Sequence, residues 1–332
     1  MLCLPMPPKR LFCMMGGLLA GGRRGERVNE RLRRRRGVRM SSGGLGGVGH
    51  GADSVPRTVF DRLEQFYDAV PRAASRTEHF GGLVLFVRDG PGMSFYARPR
   101  LDWDTEPTAT DIDAVRTRQR ELGVPEAFEW VHERCPVLRD IARSVGLSVL
   151  EAPLMVLDHS LLPDPSALST AQIRFADPAE PGFSTDLGES RAIASLGFAA
   201  GGTDIGAGGS AERDATVRAL SAGELADERE CAARGDRVTA IAQTVADGPV
   251  ATGTLMRVGD VAEIAGIATL PAARRRGLGA AIAAALARRG LAVGADLVFL
   301  TAGGDDIARV YRRAGFRRIG TGCIAEADAQ RS

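Results

Sequence analysis

The stretch "LPAARRRGLGAAIAAAL", Leu270 to Leu286, sets Arg274, Arg275 and Arg276 directly ahead of Gly-Leu-Gly and an alanine-rich apolar run. The run predicts a helix, because alanine and leucine are strong helix formers and no proline interrupts them. The arginines then sit where electrostatics disfavours them, since a helix N-terminus already carries about half a positive charge. An anion seated at that terminus resolves the conflict. Gly277 and Gly279 would let the backbone approach it, exposed N–H groups would face it, and arginine side chains could pair with it. A ligand-free strand–turn–helix connection would use the same glycines. The pattern is not a Walker loop, having no Gly-Lys-Ser/Thr, and it lacks the dinucleotide spacing.

Around this stretch the chain from Ala171 alternates strands and helices. "RVTAIAQTVADG", "PVATGTLMRVGD" and "VAEIAGIATL" read as three strands joined by Asp-Gly and Gly-Asp turns, as in hairpins. After the alanine-rich helix come the strand "DLVFLTA", the helix "DIARVYRRAG", and "FRRIGTG" with "CIAEA" as a pair of strands. With the strand "AQIRFAD", the helix "STDLGESRAIASLGFAA" and a glycine-rich loop running into another helix, this lobe is mixed α/β around one sheet.

"EIAGIATLPAARRRGLGAAI" followed by "VYRRAGF" resembles the GNAT superfamily of acyl-coenzyme A-dependent N-acetyltransferases, in the family's order of elements, over about residues 172–332. The resemblance implies acetyl-CoA as co-substrate, no metal, and an amine acceptor, either a small molecule or a peptide. It implies that backbone groups of Ile267, Ala268 and Thr269 pair with the pantetheine arm as an added strand would. It also places the diphosphate on N–H groups from Arg275 through Arg276, Gly277, Leu278 and Gly279 to Ala280, with Arg274 and its neighbours as pairing side chains. Members often carry an asparagine seven residues before the helix tyrosine; here that residue is Gly304.

Amide formation needs a base for the acceptor amine, or a relaying water, and an acid for the departing thiolate. His50, His79, His132 and His159 all precede the second lobe, which leaves carboxylates and tyrosine. Tyr311, within Tyr311-x-x-x-Gly315-Phe316, is the expected acid, and Glu263, early on the cofactor strand, the expected base. Packing beneath Phe316 and a solvent-facing strand carboxylate are their purely structural alternatives. A non-catalytic acyl-CoA-binding or regulatory module is the rival reading of the whole lobe.

The first lobe holds a faint repeat. "AFEWVHERCPVLRDIARSVGLSVL" aligns with "DLVFLTAGGDDIARVYRRAGFRRI": Phe128 to Gly146 spans the same distance as Leu297 to Gly315, and "DIAR" occurs in both. Ala142 stands in the place of Tyr311, and nothing near Thr105 resembles Arg-x-x-Gly-x-Gly. A degenerate partial copy of the fold, supporting or shaping the acceptor site, is therefore expected over residues 55–165, with a linker at 166–171 and the catalytic domain at 172–332. Tyr96, Trp103 and Trp130 are candidates for an acceptor cleft or for core.

Residues 1–54 differ in composition, and the run "RLRRRRGVR" within them reads as a disordered extension or a nucleic-acid-binding tail. The 332-residue chain has a net charge of +2, which gives no global field favouring nucleic acid. Five cysteines without a CxxC pair read as reduced thiols of a cytosolic protein, and no apolar run suits a membrane span.

Overall fold

The computed structural model describes residues 58–88, 94–102 and 105–327. The arginine-rich stretch and Trp103 lie outside them.

The first described element is helix α1 (Val59–Arg72). Thr58 and Asp61 form a reciprocal capping box at its start, and its apolar stripe buries Leu63, Phe66 and Tyr67 as the spacing predicts. Strands β1 (Ser75–Phe80), β2 (Leu83–Arg88) and β3 (Ala97–Pro99) follow. Helix α2 (Ala109–Glu121) has its own capping box from Thr108 and stops before Gly123, whose φ is 66°. Then come β4 (Ala127–Val131), α3 (Val137–Ser144) and β5 (Leu147–Leu157). The second lobe contains β6 (Gln172–Phe175), α4 (Phe183–Ala199), α5 (Ser210–Thr216) and α6 (Ala222–Ala233). It continues through β7 (Arg237–Thr244), β8 (Gly248–Val258), β9 (Val261–Thr269) and α7 (Leu278–Ala292). It closes with β10 (Leu297–Thr301), α8 (Asp305–Arg312) and β11 (Phe316–Ala327).

The eleven strands of the described residues join one mixed sheet in the order β1-β2-β3-β4-β11-β5-β10-β9-β8-β7-β6. The expected strand–helix–strand repeat is present as β4-α3-β5 and β10-α8-β11. Each unit's closing strand, however, lies beside the other unit's opening strand. β11 pairs antiparallel with β4, and β5 pairs antiparallel with β10. The two exchanged strands pair with each other from Leu147↔Ala327 to Phe316↔Leu157, so each strand's first residue meets the other's last. That is the pairing of a two-fold axis, realised within one chain.

This exchange corrects the expectation of two paired strands at the C-terminus. "FRRIGTGCIAEA" is one strand with an irregularity between Arg318 and Gly320. It needs no hairpin partner of its own, because β4 and β5 supply ladders on both sides. Two further elements, β1 and α6, lack the apolar periodicity that marks a strand or a helix in sequence. β1 is a polar edge strand, half-exposed, with no alternation to mark it, and α6 buries only Glu228.

Helix α1 ties the lobes together. Phe66 and Tyr67 meet Phe299 of β10 edge-to-face, at centroid distances of 5.2 and 5.5 Å, in a cluster shared with Val131, Met256 and Val261. Beneath it, fully buried Arg98 donates to Glu64, whose other oxygen accepts from the Val131 N–H at 2.9 Å. Trp130 and Tyr96 are core residues: Trp130 packs among Leu138 and Cys323, and the Tyr96 hydroxyl donates to the Tyr67 carbonyl at 3.2 Å.

Candidate functional site

The site begins where β9 and β10 part. They are registered in parallel only from Val261↔Leu297 to Glu263↔Phe299. Beyond that, β10 keeps its ladder with β5 while β9 turns away. A bulge drives the divergence: Thr252 faces Ala268 but Thr254 faces Ala265, so Gly266 and Ile267 together oppose Gly253. Gly266 sits at φ 66°, a left-handed conformation that suits glycine and suits such a bulge. From Ile264 to Thr269 the β10-facing edge of β9 has no strand partner among the described residues. A cleft of about 1000 Å³ opens there.

One end of the cleft is the turn before α7. Gly277 is the helix N-cap at φ 77°, and Arg275 at φ 65° is the sole non-glycine residue with positive φ among the described residues. The backbone N–H groups of residues 275–280 donate to no described residue, and the first turn-closing bond runs from the Ala281 N–H to the Gly277 carbonyl at 3.0 Å. Consecutive free donors at a helix start form a turn that can accept an anion, a cradle in geometry.

The two glycines have different jobs. A Cβ on Gly277 would lie 1.9 Å from the carbonyl oxygen of Leu168, in the segment linking the lobes, so this glycine answers to the protein's own backbone. A Cβ on Gly279 would meet Ile267 and Val310 at 3.7 Å, ordinary contact on the cleft lining. Close approach of a ligand therefore concerns Gly279.

The three arginines also divide. Arg274 is engaged with protein: its guanidinium donates to the carbonyls of Gly197 and Gly201, both at 2.8 Å, and Asp204 at 3.1 Å. Arg276 lies 3.7 Å from Asp247 in a half-exposed pair. Arg275 is exposed beside the cradle and lines the cleft.

Tyr311, on α8, lines the cleft while being only 8 % exposed. Burial pushes its phenol well above the ordinary value, so it remains a proton donor at any physiological pH. Glu263 is 4 % exposed where β9 and β10 part. Burial first, and the nearby Glu129 carboxylate second, raise its carboxyl to about 8, against a partly offsetting hydrogen bond from Tyr67. The Tyr67 hydroxyl is 3.5 Å from Glu263 Oε1 and 3.2 Å from Thr301 Oγ1. A carboxyl tuned near neutrality at a cleft is suited to accepting a proton.

Tyr67, Thr301 and Glu129 escape sequence reasoning. Tyr67 reads as one more apolar member of the α1 stripe, and its sequence distance from Glu263 gives no hint of contact. Leu150 and Ala152 of β5 also line the cleft, brought there by the strand exchange. Cys323 lies elsewhere, buried opposite Trp130, and burial pushes its thiol up to about 12, which disqualifies it as a nucleophile. Among the described residues no group of three or more His, Cys, Asp or Glu is placed to hold a metal ion, and no helix is long and apolar enough to cross a membrane.

Residues 212–316 match the sequence profile of the Acetyltransferase (GNAT) family. No curated protein matches the chain in sequence. Among solved structures, a GCN5-related N-acetyltransferase from Kribbella flavida superposes with a TM-score of 0.56 at 20% identity, covering 82% of this chain and 96% of that one. Two others are a tandem GNAT protein from the clavulanic acid biosynthesis pathway and a GCN5-related N-acetyltransferase from Sphaerobacter thermophilus. The first gives a TM-score of 0.46 at 14% identity, covering 80% of this chain and 88% of that one. The second gives 0.45 at 13% identity, covering 74% and 80%.

Proposed function

We propose that this protein moves an acetyl group from acetyl-CoA to an amine, a reading supported by the match of residues 212–316 to the GNAT family, whose general activity is acyl transfer. The observation that carries the reading is the combination of a strand edge on β9 with no strand partner among the described residues and six N–H groups with no protein acceptor at the start of α7, where Arg275, Gly277, Leu278 and Gly279 line the same cleft. The free edge of Ile267, Ala268 and Thr269 suits an amide-bearing arm laid alongside as a strand. The N–H groups of residues 275–280, with the Arg275 side chain, suit a diphosphate. Acetyl-CoA, when bound, supplies the reactive thioester.

Within that frame each side chain has one task. Glu263, once ionised, takes a proton from the acceptor amine directly or through water, and Tyr67 and Thr301 hold its orientation. Tyr311 offers its hydroxyl to the departing sulfur, whose charge a phenol hydrogen bond stabilises. Leu150, Ala152 and Ile324 give the cleft an apolar wall on the side of β5 and β11. The first lobe thus helps to shape the acceptor end.

The test is thiol release from acetyl-CoA across a panel of small amines, aminoglycosides and peptide N-termini. Amine-dependent release supports the reading. Tight coenzyme binding with no release from any amine would instead fit a non-catalytic acyl-CoA-binding module.

A further inference from the structure

Arg274 heads the glycine turn, where the sign of its charge suggests a diphosphate ligand, yet its hydrogen bonds run the other way. Its fork reaches three carbonyls: Gly197 in the last turn of α4, and Gly201 and Asp204 in the loop beyond. The last carbonyls of a helix lack intrahelical donors and carry partial negative charge, so a guanidinium there caps the helix. The same fork fixes the loop, and Gly197, Gly201 and Asp204 all line the cleft. Two backbone bonds extend the seam: the Gly206 N–H donates to the Pro271 carbonyl at 3.2 Å, and the Ala272 N–H to the Gly208 carbonyl at 3.1 Å. Gly197 itself packs so tightly on β9 that an added Cβ would lie 3.0 Å from that of Ala268.

We propose that Arg274 is a positioning residue: it locks the 197–204 wall of the cleft to the turn that begins α7, and it does not serve as a diphosphate ligand. The wall and the cradle are then one rigid unit assembled before any ligand arrives. Diphosphate contacts fall to the 275–280 backbone and to Arg275, whose side chain is exposed beside them. The identity of the ligand rests on the acetyl-CoA reading above; the locking itself does not.

The experiment uses the full chain with Arg274→Gln, Arg274→Lys and, as a contrast, Arg275→Gln. Amide hydrogen exchange is measured first without coenzyme. Loss of hydrogen bonds from a charged donor should accelerate exchange across 197–209 by about tenfold or more in Arg274→Gln. Arg274→Lys should restore part of the protection, and Arg275→Gln should change nothing there. Calorimetry then compares coenzyme A with pantetheine, which lacks the phosphates. Arg274→Gln should weaken both by a similar factor, whereas Arg275→Gln should weaken coenzyme A alone. Unchanged exchange in Arg274→Gln, or a loss confined to coenzyme A, would overturn the proposal. If the unaltered protein binds neither probe, the acetyl-CoA reading fails, while the exchange result still decides the role of Arg274.

Discussion

Glu263 is held where a charged carboxylate is costly, and two consequences with opposite signs follow. As a base it must be ionised, and burial with Glu129 nearby raises its carboxyl to about 8. The rate at saturating substrates should therefore climb with pH up to about 8, and Glu263→Gln should flatten that rise. Stability should move the other way. The folded state binds this proton more tightly than the unfolded chain, whose glutamate titrates near 4.5. The folded protein's advantage from the protonated form is complete below the unfolded value and is lost as pH rises toward 8. Glu263→Gln should then melt higher than the unaltered protein at pH 9 and close to it at pH 5. Equal melting temperatures for the two proteins at both pH values would show that Glu263 is solvated and untuned.

Tyr311 allows a cleaner separation. Tyr311→Phe removes a hydroxyl with no hydrogen-bond partner among the described residues, so packing should survive. Turnover should fall by about a hundred- to ten-thousand-fold, with coenzyme affinity by calorimetry nearly unchanged. The two glycines should likewise part ways. Gly277→Ala forces a side chain into a left-handed conformation and onto the Leu168 carbonyl, at a cost of at least about 1–3 kcal/mol in denaturant titration. Gly279→Glu should leave stability nearly intact and abolish coenzyme binding.

At the scale of elements, legibility tracked locality. Capping residues, alanine content and glycine stops are local, so the signals that make α1, α2 and α7 lie within each helix's own stretch of sequence, as do those of the three strands leading to the cradle. The cradle and Tyr311 belong to a short contiguous motif and were equally visible. The Glu263 environment was not, because Tyr67 and Glu129 arrive from the first lobe. Nor was the division of labour among the arginines, since the partners of Arg274 lie seventy or more residues away. The misreading of β11 as a hairpin has the same source: Gly320 and Gly322 look like turn residues until a second strand is found on either side. The buried Arg98–Glu64 pair also depends on non-local folding. Removing one partner leaves an uncompensated charge under α1, so Glu64→Ala should cost about 3–5 kcal/mol.

For the whole molecule, the exchanged strands decide what can fold alone. A fragment of residues 166–332 would carry the cradle and Tyr311 but would lack β5, and with it the ladders that β10 and β11 both use. The apolar face of β10 would also lose α1, including the aromatic contacts of Phe66 and Tyr67 with Phe299. A fragment of residues 58–165 would be left with β4 and β5 separated by a missing strand. Unpaired, apolar strand edges of this kind promote aggregation. Each half expressed alone should therefore be insoluble or associate non-specifically, and neither should bind coenzyme A. Co-expressed, the halves should assemble into a one-to-one complex, because the exchanged pairing is complementary and needs no covalent link. Size-exclusion chromatography and calorimetry of the three preparations provide the measurement. A soluble, monomeric 166–332 fragment that binds coenzyme A would show that the second lobe is self-sufficient and that the strand exchange is dispensable.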